Sequence, residues 1–303
     1  MRAAVLTEVD GPFELRDVPD PTQGEKVVVR VRAAGINFAD VLVRRGRYPQ
    51  MPELPAVLGS EIAGELEDGT RVMALTSGSG GYAELAAVDR AQVVPLPDQA
   101  SFAQGASFLI TFLSAYIPLT RQVRVRSGSS VLVYAGAGGV GTATIQVARA
   151  LGARVTAAVG SPEKIATCTK LGAEAAYVYD ELPDDLQVDV IVDPVGGELF
   201  AGSFARLKPL GAVVAIGSAA GAWSDVDPAR LVGRNVGLYG FFLGRLLRFE
   251  PEVVGTAVGE LLGFWHAGAF TPLVGAEFPL GDVEQAHELV ESRASVGKVV
   301  LVP

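Results

Sequence analysis

A chain of 303 residues, 49% of them hydrophobic and 19% charged, exceeds what one hydrophobic core usually serves, so two domains are expected. Its 25 basic and 34 acidic residues leave a net charge of −9, a surface that repels phosphate backbones and argues against general nucleic-acid binding. No run of about eighteen or more purely apolar residues occurs, and the N-terminus reaches Glu8 without a signal-peptide core, so the expectation is no membrane span and a cytoplasmic address.

The first part of the chain is rich in strands and turns. Short β-branched runs, Ala3–Leu6 and Val27–Val31, are separated by Asp10-Gly11-Pro12 and Pro19-Asp20-Pro21. A helical pattern then runs from an N-cap at Ser101 to Arg121. From Val131 strands and helices alternate: strand Val131–Ala135, helix Thr142–Leu151 stopped by Gly152, strand Val155–Val159. Next comes a helix capped by Ser161, with Pro162 in its first turn and Gly172 past its end. Strands at Ala176–Tyr179, Val188–Asp193 and Val213–Ile216 continue the series, with a helix over Glu198–Leu207 and a sixth strand over Val236–Leu243. Near the C-terminus, Asp282 caps a helix to Ser292 and Lys298–Val302 is a last strand. Apolar strands spaced by helices indicate a parallel sheet covered on both faces. The fold expected is therefore α/β: a doubly wound Rossmann-type domain over 115–262, inserted in a β-rich domain formed by 1–114 and 263–303.

One cysteine, Cys168, and two histidines, His266 and His287, are too few and too scattered for a tetrahedral zinc site, so no metal is expected. Cys168 falls inside a helix and reads as a small buried hydrophobe; the two histidines read as structural.

The strongest motif is Gly136-Ala137-Gly138-Gly139-Val140-Gly141, lying between a strand and a helix as a dinucleotide fingerprint requires. Gly136 makes the tight turn, Gly138 lets the backbone approach a pyrophosphate, and Gly141 lets helix and strand pack closely. Gly139 and Val140 bring their amides to the helix start, where an anion is held. An NAD site carries an acid about twenty residues on. Here the strand ends in Gly160-Ser161 and Lys164 follows on the next turn, which favours NADPH over NADH.

With these residues in view, the chain resembles the medium-chain dehydrogenase/reductase superfamily, in particular its zinc-free quinone oxidoreductase (zeta-crystallin-like) branch. The resemblance runs end to end through Ala34-Gly35-Ile36-Asn37-Phe38-Ala39-Asp40, Arg44 to Tyr48, Gly80-Gly81-Tyr82-Ala83-Glu84 and the fingerprint. It continues in Asp193-Pro194-Val195-Gly196-Gly197, Gly211 to Gly217, and Gly297-Lys298-Val299-Val300. Zinc-dependent relatives have a cysteine where this chain has Asn37 and a His-Glu pair where it has Ser60-Glu61, and their four-cysteine lobe is missing.

The resemblance implies a GroES-like catalytic domain beside the Rossmann domain, and roles for named residues. Asn37 and Tyr48 would line the substrate space, where the alternatives are a turn residue and a half-buried core aromatic. Ser114 would hydrogen-bond the cofactor, unless its hydroxyl bonds its own helix backbone. Ser161, Lys164, Tyr179 and Arg293 would contact the 2′-phosphate, and Gly217 the cofactor. Leu42 stands where several relatives have a second tyrosine, and the connection Glu65–Thr70 is short.

The function implied is zinc-independent hydride transfer from NADPH to a quinone, with the acceptor between the domains. The alternatives are an enoyl or alkenal reductase of the same superfamily, or a non-catalytic NADPH-binding protein. A homodimer extended through the strand near Val236–Leu243 is the partner expected.

Overall fold

The computed structural model describes residues 1–22, 24–76 and 78–303. It divides into two compact units, Met1–Ile110 with Pro272–Pro303, and Thr111–Thr271. The chain leaves the second unit later than residue 262 because helix Pro251–His266 is continuous, with Val254, Ala257, Leu261 and Trp265 buried along one face.

In the first unit, Val27–Ile36 is the hub. It pairs antiparallel with Lys298–Val302 on one side, with Glu61–Glu65 on the other, and near its start with Leu85–Val88. The sheet continues through Arg71–Leu75 and Val93–Pro95, and beyond Lys298–Val302 through the parallel strand Val274–Pro279. A smaller antiparallel sheet joins Phe13–Asp17, Arg2–Leu6 and Ala56–Val57. Alternation drives the apolar set inward: Val29, Val31, Ile62, Val72, Val299 and Leu301 form one buried cluster with Leu6, Leu58 and Tyr82.

The second unit is a six-stranded sheet, all parallel, in the order Ala175–Val178, Arg154–Val159, Ser130–Tyr134, Val188–Asp193, Leu207–Ala215, Gly237–Gly240. The chain starts in the middle, builds outward, then returns and builds the other way. The switch point lies between Ser130–Tyr134 and Val188–Asp193, where such sheets bind ligands. The fold is thus α/β, a Rossmann sheet and a GroES-like unit.

Several element boundaries differ from the sequence reading. The helix expected over Ser101–Arg121 starts on a true capping box, with Ser101 Oγ accepting Gln104 N at 3.1 Å and Gln104 Oε1 accepting Ser101 N at 2.9 Å. It then opens at 106–108, resumes over Leu109–Ile117 and ends in a wider turn at Pro118–Gln122. This run is long and apolar enough to cross a membrane by composition, and 83% of its most apolar 18-residue stretch, with a mean hydropathy of 1.4, is buried inside the protein, as in a core helix.

The helix assigned to Glu198–Leu207 is Gly197–Ser203 plus a tight turn, because Leu207 already enters the long strand Leu207–Ala215. The sixth strand is only Gly237–Gly240, since Leu243 opens a helix to Phe249. Neither Ser161 nor Asp282 caps its helix through the side chain.

Candidate functional site: a dinucleotide turn and a buried polar network

The glycine turn follows strand Ser130–Tyr134 directly, with helix Gly139–Ala150 starting on an extended Gly138. The reason for glycine is clearest at Gly141, where a Cβ would stand 2.1 Å from Ala135 O and 2.8 Å from Gly136 C. At Gly138 a Cβ would meet only Ala135 O, at 3.3 Å, so the space beside this turn is otherwise open. The first amides of the helix, 139–141, have no carbonyl of their own helix to bond, so they point outward as anion donors. These features fit a pyrophosphate cradle.

The flanking strands end along the same carboxyl edge. Past Arg154–Val159 come Gly160 and Ser161, and no acid stands at that strand tip. Ser161 Oγ donates instead to Glu163 Oε1 at 2.5 Å, which explains why it does not cap its helix. A carboxylate therefore stands two residues beyond the tip, beside the half-buried Lys164, whose ammonium is pushed down by burial. Tyr179, past Ala175–Val178, packs edge-on against the Tyr134 ring with centroids 6.2 Å apart.

Two further strands complete the edge. Asp193 ends its strand with Oδ1 accepting the amides of Val195 (2.7 Å) and Gly196 (2.9 Å), and burial pushes its carboxyl above the usual carboxylate range. Gly217 lies just past Leu207–Ala215, within 3.4 Å of Pro194 O for an added Cβ. Ser114 is buried on helix Leu109–Ile117 of the same unit. Arg293 belongs to the first unit, exposed and left-handed (φ +60°) just past helix Val283–Glu291.

Asn37 and Tyr48 also belong to the first unit. Asn37 opens the short helix Phe38–Arg44 and is 8% exposed. Its backbone N–H donates to Asp40 Oδ2 at 2.8 Å. Its side chain is taken up elsewhere: Lys298 Nζ donates to Oδ1 at 2.6 Å, and Nδ2 donates to Glu61 Oε1 at 3.3 Å. Lys298 and Glu61 are themselves paired, both buried, and Glu61 Oε2 accepts the Ile110 amide at 3.0 Å. Tyr48 is half-buried against the core, and its phenol is pushed up to about 12 by burial and then by the charge of Asp40.

Asp40 connects this group to a second layer. It accepts from Ser60 Oγ at 3.2 Å and from Tyr82 OH at 3.1 Å, and Tyr82 OH contacts His287 Nε2 at 3.3 Å. Burial lifts the Asp40 carboxyl to about 6, against the lowering effects of its hydrogen bonds and of Lys298. Burial likewise presses His287 down to about 3, helped by Arg44.

Asp40, Glu61, Tyr82, His287 and Lys298 carried no individual role in the sequence reading. Asp40, Tyr82 and Lys298 lie in recognisable stretches and Glu61 in the Ser60-Glu61 pair, while His287 lies in none and reads as structural. Sheet register brings Lys298 and Glu61 together, with Val299 opposite Ile36 and Gly35 opposite Glu61, while Asp40 and His287 come from the helices Phe38–Arg44 and Val283–Glu291.

For a metal, the donor set does not fit. Among the described residues no three His, Cys, Asp or Glu side chains group as ligands. Cys168 is wholly buried, its thiol raised to about 11, and His287 stands between the rings of Phe13 and Tyr82.

Comparison with known proteins follows the two units. Residues 23–98 match the family model "Alcohol dehydrogenase GroES-like domain", and residues 139–259 match "Zinc-binding dehydrogenase". The quinone oxidoreductase of Mus musculus is 31% identical over 328 residues, covering 100% of this chain and 98% of that protein. The crystal structure of the quinone oxidoreductase from Thermus thermophilus, solved also with NADPH, superposes with a TM-score of 0.94 at 40% identity over the whole of both chains. A mycobacterial structure complexed with NADPH gives a TM-score of 0.91 at 33% identity, again over both whole chains.

Proposed function

The chain belongs to the medium-chain dehydrogenase/reductase superfamily, on its quinone oxidoreductase branch, and from that premise we propose that this oxidoreductase reduces quinones with NADPH and without zinc. The observation that carries the cofactor reading is the glycine turn at the switch point, beside a second strand whose tip is Gly160-Ser161 rather than an acid. The NADPH complexes of similar proteins support the same choice.

Bound there, the nicotinamide supplies a hydride. The chain's own residues bind and orient. Amides 139–141 hold the pyrophosphate, and Ser161 and Lys164 take the 2′-phosphate, with Tyr179 beside them. Ser114 and Gly217 serve the rest of the cofactor. On the acceptor side, Asn37 presents an amide donor to the oxygen that gains charge, and Tyr48 a phenol that stays protonated at neutral pH. Neutral donors polarise an oxygen weakly, so the acceptor must be electron-poor already, as a quinone is. Oxidation of NADPH with 1,4-benzoquinone, 9,10-phenanthrenequinone and a simple enone, repeated with NADH, tests this. Preference for a quinone and NADPH is expected. Faster turnover of the enone would make it an alkenal reductase, equal use of NADH would remove the cofactor assignment, and NADPH binding without turnover would make it a non-catalytic binder.

The partner proposed is a second copy of the chain. Gly237–Gly240 ends the sheet, and Leu238 (36%), Tyr239 (40%) and, nearby in sequence, Val232 (77%) stay exposed. A twofold axis along such an edge would continue the sheet and cover these side chains. A monomeric mass in solution would refute it.

A further inference from the structure

We infer that Lys298 and Glu61 act as a clamp on the Asn37 side chain, holding its amide so that it meets the acceptor only as an N–H donor. They are positioning residues for the reduction, and the inference rests on the role of Asn37 proposed above.

The clamp is built by strand register. Lys298 and Glu61 lie on the two strands that flank Val27–Ile36. They meet where the central strand carries Gly35. A Cβ there would stand 3.0 Å from Glu61 Oε1, 3.0 Å from Lys298 Cε and 2.0 Å from Ala106 O. The missing side chain makes the space in which the two charged groups reach each other. Asn37 follows at the end of that strand, and its amide closes the triangle through Oδ1 and Nδ2.

A buried ion pair is seldom the most stable way to fill a core. What it does supply here is direction. The two ends of an amide are nearly the same size, so shape alone hardly orients it. Charge does, because the flipped amide would press its N–H groups against an ammonium and its oxygen against a carboxylate. Lys298 and Glu61 are 4% and 1% exposed at their side chains, so little water screens that penalty. Glu61 takes one of the two Nδ2 protons, and the other remains for a ligand. The Lys298 ammonium on Oδ1 also draws electron density through the amide and strengthens that remaining donor. At the backbone, Asp40 fixes the Asn37 N–H, so the side chain is held at its root as well as its tip.

The test is a double-mutant cycle on the full chain with N37A, K298M and N37A/K298M, reading kcat and KM for a quinone and Kd for NADPH. A parallel set replaces K298M by E61Q/K298M, which leaves no lone buried charge if K298M alone fails to fold. Expected are a loss in kcat on the order of tenfold or more for the Lys298 variants, an unchanged Kd for NADPH, and double variants no slower than N37A. Losses that multiply, or wild-type kcat in folded K298M or E61Q/K298M, would overturn the clamp while leaving the quinone reading intact. If the wild type turns over no acceptor, or N37A turns over at the wild-type rate, the proposed role of Asn37 fails. The clamp is then judged from a neutron crystal structure of E61Q/K298M, which tells the amide nitrogen from its oxygen: an Asn37 amide still in one native orientation overturns it, and a flipped or mixed amide supports it.

Discussion

Inside the first unit the Tyr82 hydroxyl donates to Asp40 Oδ2 at 3.1 Å while the His287 ring faces the same hydroxyl through Nε2 at 3.3 Å. With the phenol proton committed to the carboxylate, His287 must carry its own proton on Nε2. Nδ1 is then the bare nitrogen, and it is buried with no hydrogen-bond partner among the described residues. This row of groups titrates in a way that solution measurements can follow.

For Asp40 the folded carboxyl sits at about 6 because burial disfavours its charge. The unfolded value is near 3.9. The folded state therefore binds the proton more tightly, so this contribution to stability is complete below about pH 4 and is lost as pH rises through about 6. Urea denaturation of the wild type and D40N at several pH values should show their gap moving in favour of the wild type on acidification from pH 7.5 to 4.5. The expected change is on the order of 2 kcal/mol. A gap independent of pH would show that Asp40 is not raised.

His287 runs the other way. Its ring is held near 3 by burial and by Arg44, against about 6.5 when unfolded. The neutral ring stabilises the fold fully above about pH 6.5, and that contribution is lost as pH falls towards 3. The His287 ring carbon signals should stay still in NMR spectra between pH 8 and 5. Movement with a midpoint near 6.5 would contradict the assignment.

Gly141→Ala should abolish or severely weaken NADPH binding, because its Cβ would collide with the backbone of Ala135 and Gly136, which cannot yield as a flexible side chain would. Gly202→Ala is the control. It lies inside helix Gly197–Ser203 with nothing within 4 Å of an added Cβ, so a neutral effect or a gain below about 1 kcal/mol is expected. Thermal denaturation and NADPH fluorescence titration read both, and equal effects would refute the close-approach argument.

Lys164→Ala should raise the Kd for NADPH by about tenfold with little change for NADH, the loss of one charge-assisted contact. Glu163→Gln should act in the opposite sense on NADPH, since it removes the carboxylate that Ser161 now engages. If K164A weakens both cofactors equally, Lys164 does not read the 2′-phosphate.

Cys168 is wholly buried and its thiol is pushed up to about 11. Ellman's reagent at pH 8 should leave the native protein unmodified and find one thiol in denaturant. Rapid reaction of the native form would show that the helix Ile165–Lys170 opens easily.

The sequence determined the parts whose physics is local. Short, β-branched apolar runs bounded by turn residues, such as Val131–Val133, indicate strands buried on both faces, and the glycines from 136 to 141 follow from a turn too tight for side chains. The capping box at Ser101 and the missing acid after Val159 are also matters of a few adjacent residues. Element ends were less legible, because Leu207 and Leu243 are apolar in either state and only their neighbours in the sheet or helix decide between them.

The network around Asn37 was decided by tertiary structure alone. Asn37, Glu61, Tyr82, His287 and Lys298 are separated by up to 261 positions, and no periodicity relates them. Antiparallel register places Lys298 and Glu61 on opposite sides of one strand, and the absent side chain of Gly35 lets them meet. A buried charge is stable only where partners from other elements surround it, and those partners exist only once the sheet has formed.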